Sequence, residues 1–319
     1  MTSSCVAARF ERFAAAPEKM GISAALAQSI HRYRIRGPVA LIAMLLVAGC
    51  HWDTAFERLQ EARRLAADLL VQFLKASDAG NRAVMADTDE ASVAFAREAR
   101  GATEAALHDA DTLALLLQSL GLSSESRLLD EFRTKFAEYR ALDRNILDLA
   151  VENTNLKAQR LSFGSAREAA DALQESLDAV VRSAPAKDSW HVNALAATAM
   201  ASAREIQALE APHIAEADDG AMTRLEKRMA AAEATARNAL ETLEGLIPPA
   251  SRPRLAAADA AFNRLIGVNA QIVRLSRRNS NVRSLALSLN QKRTLAAACE
   301  ASLHAIRDGL AKRGFTGTR

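Results

Sequence analysis

The residues best spaced for chemistry are asparagines in two short segments that lie 126 residues apart, 152–157 (ENTNLK) and 278–283 (RNSNVR). Asn153 and Asn279 fall where an apolar residue is expected on a helical stripe. A polar residue at such a position can fix the register of packed helices at a cost in stability. Alternatively, the amides can bind a small polar or carboxylate ligand inside a helical bundle, with arginine supplying charge.

The second asparagine of each segment faces a different way from the first. Asn155 and Asn281 lie about 200° around the helix from that stripe, so we expect them to touch a neighbouring helix or a second subunit. The candidate ligand-binding residues are therefore Asn153, Asn155, Arg160, Asn279, Asn281 and Arg283.

Residues for catalysis or metal binding are scattered. Glu210 and His213 have the Glu-x-x-His spacing of di-iron helical bundles, but Pro212 interrupts the motif and the sequence has no second copy. A glycine-rich phosphate loop, Cys-x-x-Cys and Gly-x-Ser-x-Gly are all missing from the sequence. We expect no enzyme, no metal and no cofactor.

The asparagine segments belong to an internal repeat. With a shift of 126 residues, the sequence from Phe136 aligns without a gap on the sequence from Phe262, with thirteen identities up to Ala305. Turn signals recur at similar places, with Gly121-Leu122-Ser123 in one copy and Pro248-Pro249 in the other. Gly164 is predicted to end a helix in the same way.

The fold class predicted is all-α. Half of the chain is apolar but only 4% is aromatic, and glycine and proline are few. The expected architecture is antiparallel up-down bundles built from a duplicated module of long helices, preceded by an N-terminal hydrophobic helix. We divide the chain into a leader (1–51), a first module (52–185) and a second module (186–319).

Apolar residues spaced three and four apart predict the faces that pack. The stripe of the first copy runs through Leu142, Ile146, Leu149, Asn153, Leu156, Arg160 and Phe163. Its second copy ends at Leu289, and both stripes are expected to continue unbroken. Cys299 and Trp190 are predicted to be buried.

The N-terminus has the pattern of an export signal. The basic segment 31–36 (HRYRIR) precedes the apolar run 38–50 (PVALIAMLLVAGC), whose end resembles a bacterial lipobox with Cys50 as the candidate lipid attachment residue. A lipoprotein signal, an uncleaved anchor helix and a buried soluble helix all fit this run. Basic residues upstream place the body in the periplasm, attached to the membrane through lipid or through the N-terminal helix.

The charge pattern argues against nucleic acid. The formal net charge is +3, but residues 1–50 carry six basic and two acidic groups, which leaves 35 basic and 36 acidic groups in the body. A body with balanced charges offers no basic surface for phosphates.

The stretch from Met85 (MADTDEAS) to Gly164, with the two asparagine segments, resembles the periplasmic four-helix-bundle sensory domain of methyl-accepting chemotaxis proteins. The resemblance covers most of residues 52–312. It implies an up-down bundle, frequent dimerisation, and recognition of small extracellular molecules or of a binding-protein partner. It carries over no ligand residue, because no ligand motif of the family is matched.

Such receptors continue into a second membrane helix, a HAMP linker and a cytoplasmic signalling region, which this sequence does not show after residue 312. We therefore expect a sensory protein that acts through a membrane receptor partner and binds a small polar ligand, as a monomer or a homodimer. The alternative is a structural or adaptor lipoprotein that only mediates protein contacts.

Overall fold

The computed structural model describes residues 38–313, with side chains from residue 55 onward. The chain divides into two units, residues 1–52 and residues 53–319. The leader and the candidate lipid site at Cys50 lie outside the residues whose side chains are described. Within the described residues, no helix combines the length and the apolar character needed to cross a bilayer.

The described part of the chain is all-helical, as predicted, and contains no strand. Its helices are α1 (Pro38–Met85), α2 (Asp89–Ser119), α3 (Ser123–Glu152), α4 (Thr154–Leu161), α5 (Arg167–Arg182), α6 (Ser189–Ala215), α7 (Asp219–Glu244), α8 (Arg252–Arg278), α9 (Ser280–Leu287) and α10 (Arg293–Lys312). Short π-helical turns, Ser162–Ala166 and Ser288–Lys292, join α4 to α5 and α9 to α10, and a 3₁₀ turn, Pro249–Ser251, precedes α8.

Helix boundaries follow local capping chemistry. Thr88 and Asp218 have extended backbones and accept hydrogen bonds from the amides of Ala91 and Ala221, which caps α2 and α7. Gly121 takes a positive φ of 66° after α2, a conformation that costs glycine little. These signals define antiparallel neighbours joined by short turns.

The first bundle consists of α1, α2, α3 and α10. Its core combines leucines and alanines from all four helices with an aromatic cluster formed by Phe73, Phe132, Phe136 and Tyr139. Phe73 on α1 meets the other three rings, at centroid distances of 5.2–6.2 Å. Aromatic pairs at such separations stabilise a core beyond their buried area.

The second bundle consists of α5, α6, α7 and α8, together with the short helix α4. Its core is mostly alanine, leucine, valine and isoleucine, with Phe262 as its largest buried side chain. Close packing of α6 on α7 and of α5 on α8 holds it together. Each predicted module contributes to both bundles, because α5 (from 52–185) packs in the second bundle and α10 (from 186–319) packs in the first.

The predicted stripes are correct up to the asparagines and wrong beyond them. Ile146 is fully buried, whereas Phe163 and Leu289 at the far ends are 73% and 55% exposed. The helix breaks and the π turns shift the angular position of every later side chain around the helix axis. Different residues therefore face the core beyond them. Cys299 is buried as predicted, whereas Trp190 is 72% exposed.

Candidate functional site

Asn153 and Asn279 mark the point where the two bundles meet. Both have left-handed backbone conformations, with φ of 49° and 54°, and each ends one helix directly before the next begins. Asparagine adopts this conformation more readily than most residues that carry a side chain. The two residues therefore interrupt their helices rather than continue a stripe.

The helices that start after these breaks cap one another. The amide of Thr154 donates to Oγ of Ser280 at 3.1 Å, and the amide of Ser280 donates to Oγ1 of Thr154 at 3.0 Å. The amides of Asn155 and Asn281 donate to each other's side-chain oxygens at 3.1 and 3.2 Å. Because the first amides of a helix have no acceptor within that helix, each copy of the repeat satisfies the other.

Side-chain amides extend this network. Nδ2 of Asn155 donates to Oδ1 of Asn279 at 2.8 Å, and Nδ2 of Asn281 donates to Oδ1 of Asn153 at 2.9 Å. The backbone at the end of α6 accepts from Asn155 and Asn279, at the carbonyls of Ile214 and Glu216 respectively. These four asparagines, with Thr154 and Ser280, are called the junction network below.

The arginines predicted with the asparagines lie elsewhere. Arg160 pairs with Asp89 at the start of α2, at 3.1 Å, and the side chain of Arg283 is exposed. Arg278 instead forms the ion pair beside the network, with two hydrogen bonds to Glu152 at 2.5 and 2.6 Å. The structure thus brings the four asparagines together without either predicted arginine.

A buried ion pair in the first bundle escaped the sequence analysis. Nζ of Lys292 lies 2.7 Å from Oδ1 of Asp143, and the two side chains are only 2% and 3% exposed. The ring of Tyr139 lies 5.7 Å from the same nitrogen. Burial raises the pKa of the Asp143 carboxyl, and Lys292 opposes that effect. The sequence signal for this pair is that a charged residue occupies an apolar position in α3 and another occupies one in the π turn.

The second bundle holds buried titratable groups of its own. Oγ of Ser162 donates to Oε2 of Glu210 at 2.5 Å, and burial raises the pKa of this carboxyl to about 7. His213, one turn further on, contacts Glu226 at 2.9 Å, and Arg277 donates to the same carboxylate. Among the described residues, no group of three or more histidines, cysteines or carboxylates is placed to hold a metal ion.

Residues 103–184 match a family described as a four helix bundle sensory module for signal transduction. The match confirms the resemblance stated from the sequence over about a quarter of the chain. It begins within α2 and ends just after α5, so it runs from the first bundle through the junction network into the second. A search of the curated proteins gave no match.

Proposed function

We propose that the protein is an extracytoplasmic sensory protein that binds a small molecule in a helical bundle and passes the signal to a membrane receptor partner. The observation that carries this proposal is the match of residues 103–184 to a sensory module of signal transduction. Members of this family are sensory rather than catalytic domains, which supports a binding role.

The junction network supports transmission between the bundles. The two long connections, from α3 to α5 and from α8 to α10, both pass through the network. There the first amides after the break in each connection donate to side chains of the other connection. A ligand that moves a helix of one bundle therefore changes hydrogen bonds that the other bundle also needs. Coupling of this kind requires an element with two arrangements that the ligand binds unequally.

Placement outside the cytoplasm rests on the N-terminal pattern. The basic segment 31–36 and the apolar run 38–50 fit export with the body in the periplasm, anchored through lipid on Cys50 or through an uncleaved helix. Mass spectrometry of the mature N-terminus distinguishes the two anchors, since an acylated Cys50 is expected only for a lipoprotein. Recovery of the untouched N-terminus in the cytoplasmic fraction would refute the placement.

Ligand binding is tested by thermal denaturation of the full chain with amino acids, organic acids and aromatic compounds. A compound at 100 times its Kd stabilises the folded state by about 2.7 kcal/mol, which corresponds to a rise of several degrees in Tm. Silence across the panel would contradict the sensory proposal. It would favour the alternative, an adaptor lipoprotein, which the mutual pairing of the four asparagines also suits.

A further inference from the structure

Glu210 is a fully buried carboxyl with a single partner. Oγ of Ser162 donates to its Oε2 at 2.5 Å. Its other oxygen, Oε1, is also buried and has no hydrogen-bond partner among the described residues. A buried carboxylate oxygen without a donor is costly, whereas a protonated carboxyl is itself a donor.

The internal repeat shows which side chain lies next to this carboxyl. A shift of 130 residues aligns the N-caps of α2 and α7, and on α1 and α6 it matches Gly80 with Glu210, both of which are buried. A shift of 126 matches Asp143 on α3 with Asn269 on α8. In the first bundle a Cβ on Gly80 would lie 3.2 Å from Oδ1 of Asp143. By this equivalence Glu210 and Asn269 are neighbours in the second bundle.

Asn269 also has a buried oxygen without a partner. Its Oδ1 has no hydrogen bond within the described part of the chain. Two neighbouring acceptor oxygens repel each other, but a proton on Oε1 of Glu210 turns that pair into a hydrogen bond. Burial acts in the same direction, because it raises the pKa of the Glu210 carboxyl to about 7. The two unpartnered oxygens therefore point to a bound proton.

The charged groups around this part of α6 are paired with other groups or exposed. The pairs are Arg160 of α4 with Asp89, Lys157 of α4 with the carbonyl of Glu152, Asp171 of α5 with Arg204, Arg228 of α7 with Glu205, and Glu226 of α7 with both His213 and Arg277 of α8. Arg167, Lys227 and Arg274 are exposed, and the π turn 162–166 contains no titratable residue. Within the described residues, an ionised Glu210 would thus have only Ser162 to stabilise its charge.

Both elements that hold this carboxyl lead directly to the junction network. Shortly after Glu210, backbone carbonyls at the end of α6 accept from Nδ2 of Asn155 and from Nδ2 of Asn279. Ser162 opens the π turn that follows α4, the short helix that starts in the network. Loss of the proton leaves a buried charge with one hydrogen bond, and this cost is relieved when α6 and the π turn separate and admit water. The hydrogen bonds of the network then change as well.

We propose that Glu210 is a proton-binding site through which pH sets the arrangement of the junction network. With the proton bound, Glu210 donates to Asn269 and accepts from Ser162, and the end of α6 keeps its place in the network. Without the proton, the carboxylate favours the separated arrangement. In the first bundle the equivalent serine, Ser288, donates to Asn81, whose amide does not titrate. The signalling role of the site rests on the proposed sensory function, to which it adds the proton as a signal.

NMR spectra of the ¹⁵N-labelled full chain, recorded from about pH 5.5 to about pH 8.5, test the proposal. The side-chain amide signals of Asn155 and Asn279 are assigned from the variants Asn155→Ala and Asn279→Asp. In the wild type both signals should move through one transition with its midpoint near pH 7. Glu210→Gln carries a neutral amide that imitates the protonated carboxyl, so in this variant the two signals should keep their low-pH positions throughout.

Three further variants assign the transition to its group. Ser162→Ala removes a hydrogen bond that favours the carboxylate, so the midpoint should move to higher pH. Glu205→Gln, on the exposed face of α6, should leave the midpoint unchanged. His213→Gln removes another buried titratable group of the same helix and should also keep the transition.

Three results would overturn the proposal: amide signals that do not move with pH, the same movement in Glu210→Gln, or a transition that is lost in His213→Gln but kept in Glu210→Gln. If a compound of the sensory panel binds while the two signals ignore pH, the proton site fails and the sensory function stands. If the signals titrate as expected while no compound binds, the proton site stands and the small-molecule part of the proposed function fails.

Discussion

Glu210 is a carboxyl buried in the second bundle, bonded through one oxygen to Ser162. Burial raises its pKa to about 7, so between roughly pH 4.5 and pH 7 the folded protein holds a proton that the unfolded chain releases. The stabilising contribution is therefore complete below pH 4.5 and is lost as the pH rises through 7. Between pH 5 and pH 8 we expect the free energy of unfolding of the wild type to fall by roughly 2–3 kcal/mol more than that of Glu210→Gln.

Urea denaturation at the two pH values measures this effect. Other carboxyls with raised pKa, Asp109, Asp143 and Asp259, act in the same direction, so the difference between wild type and variant isolates Glu210. Glu205→Gln, on the exposed face of the same helix, is the matched control and should keep the wild-type slope. An unchanged slope in Glu210→Gln would show that this carboxyl does not hold the proton.

Single residues also show what the sequence could not predict. The repeat identified Asn153 and Asn279 as special, but the 3.6-residue period carries no information about where a chain takes a left-handed turn. Lys292 and Asp143 lie in different copies of the repeat, so their pairing depends on tertiary packing. Trp190 is predicted to be buried, yet it is exposed and stacks on His191 at the start of α6.

At the scale of helices, one glycine inside α1 and one inside α8 allow a matched test of what replacing a helical glycine by alanine does to stability. Around Gly267 no atom lies within 4 Å of an added Cβ, so Gly267→Ala should stabilise the protein by up to about 1 kcal/mol through helix propensity. Gly80→Ala brings the same gain in propensity but displaces the ammonium group of Lys292 from its place beside Asp143. We expect the net effect of Gly80→Ala to be destabilising.

Thermal denaturation of both variants shows directly whether Gly267→Ala raises the Tm and Gly80→Ala lowers it. A rise in Tm for Gly80→Ala equal to that of Gly267→Ala would mean that the ion pair shifts at no cost, and that α1 does not need a glycine there.

Helix positions were largely predictable, and helix ends less so. The turn signals at Gly121 and at Pro248-Pro249 mark real boundaries, since α2 ends before the first and α8 starts after the second. Gly164, predicted to end a helix, lies instead in the π turn between α4 and α5. A glycine without steric conflict is compatible with either outcome, and only packing of the flanking segments decides between them.

On the scale of the whole molecule, the exchange of helices between bundles was beyond the sequence. A repeat predicts two similar sets of helices, but it does not say whether a set packs on itself or on its copy. The choice follows from the breaks at Asn153 and Asn279, which let α3 continue into the second bundle and α8 into the first. Each bundle takes its fourth helix from the other copy of the repeat, α10 in the first bundle and α5 in the second.

We expect this arrangement to make the two bundles a single unfolding unit. The segment that forms the second bundle lies between α3 and α10 of the first bundle, and the junction network ties the crossing chains together. In hydrogen-exchange mass spectrometry the slowest amides of both bundles should report the same free energy of opening. In the double variant Asn155→Ala and Asn281→Ala, which loses these bonds, the two values should separate by about 1–3 kcal/mol.

Asn290→Ala provides the control, because the side-chain amide of this exposed asparagine donates locally, to the carbonyl of Ala286 four residues earlier. It should leave the two bundles at one common value. Distinct values in the wild type would mean that the bundles already open independently, in which case the network holds two folding units side by side. A common value in the double variant would instead show that the continuous chain, and not the asparagines, carries the coupling. The first result would remove the route by which ligand binding in one bundle reaches the other, and the second would assign that route to the continuous chain instead of the junction network.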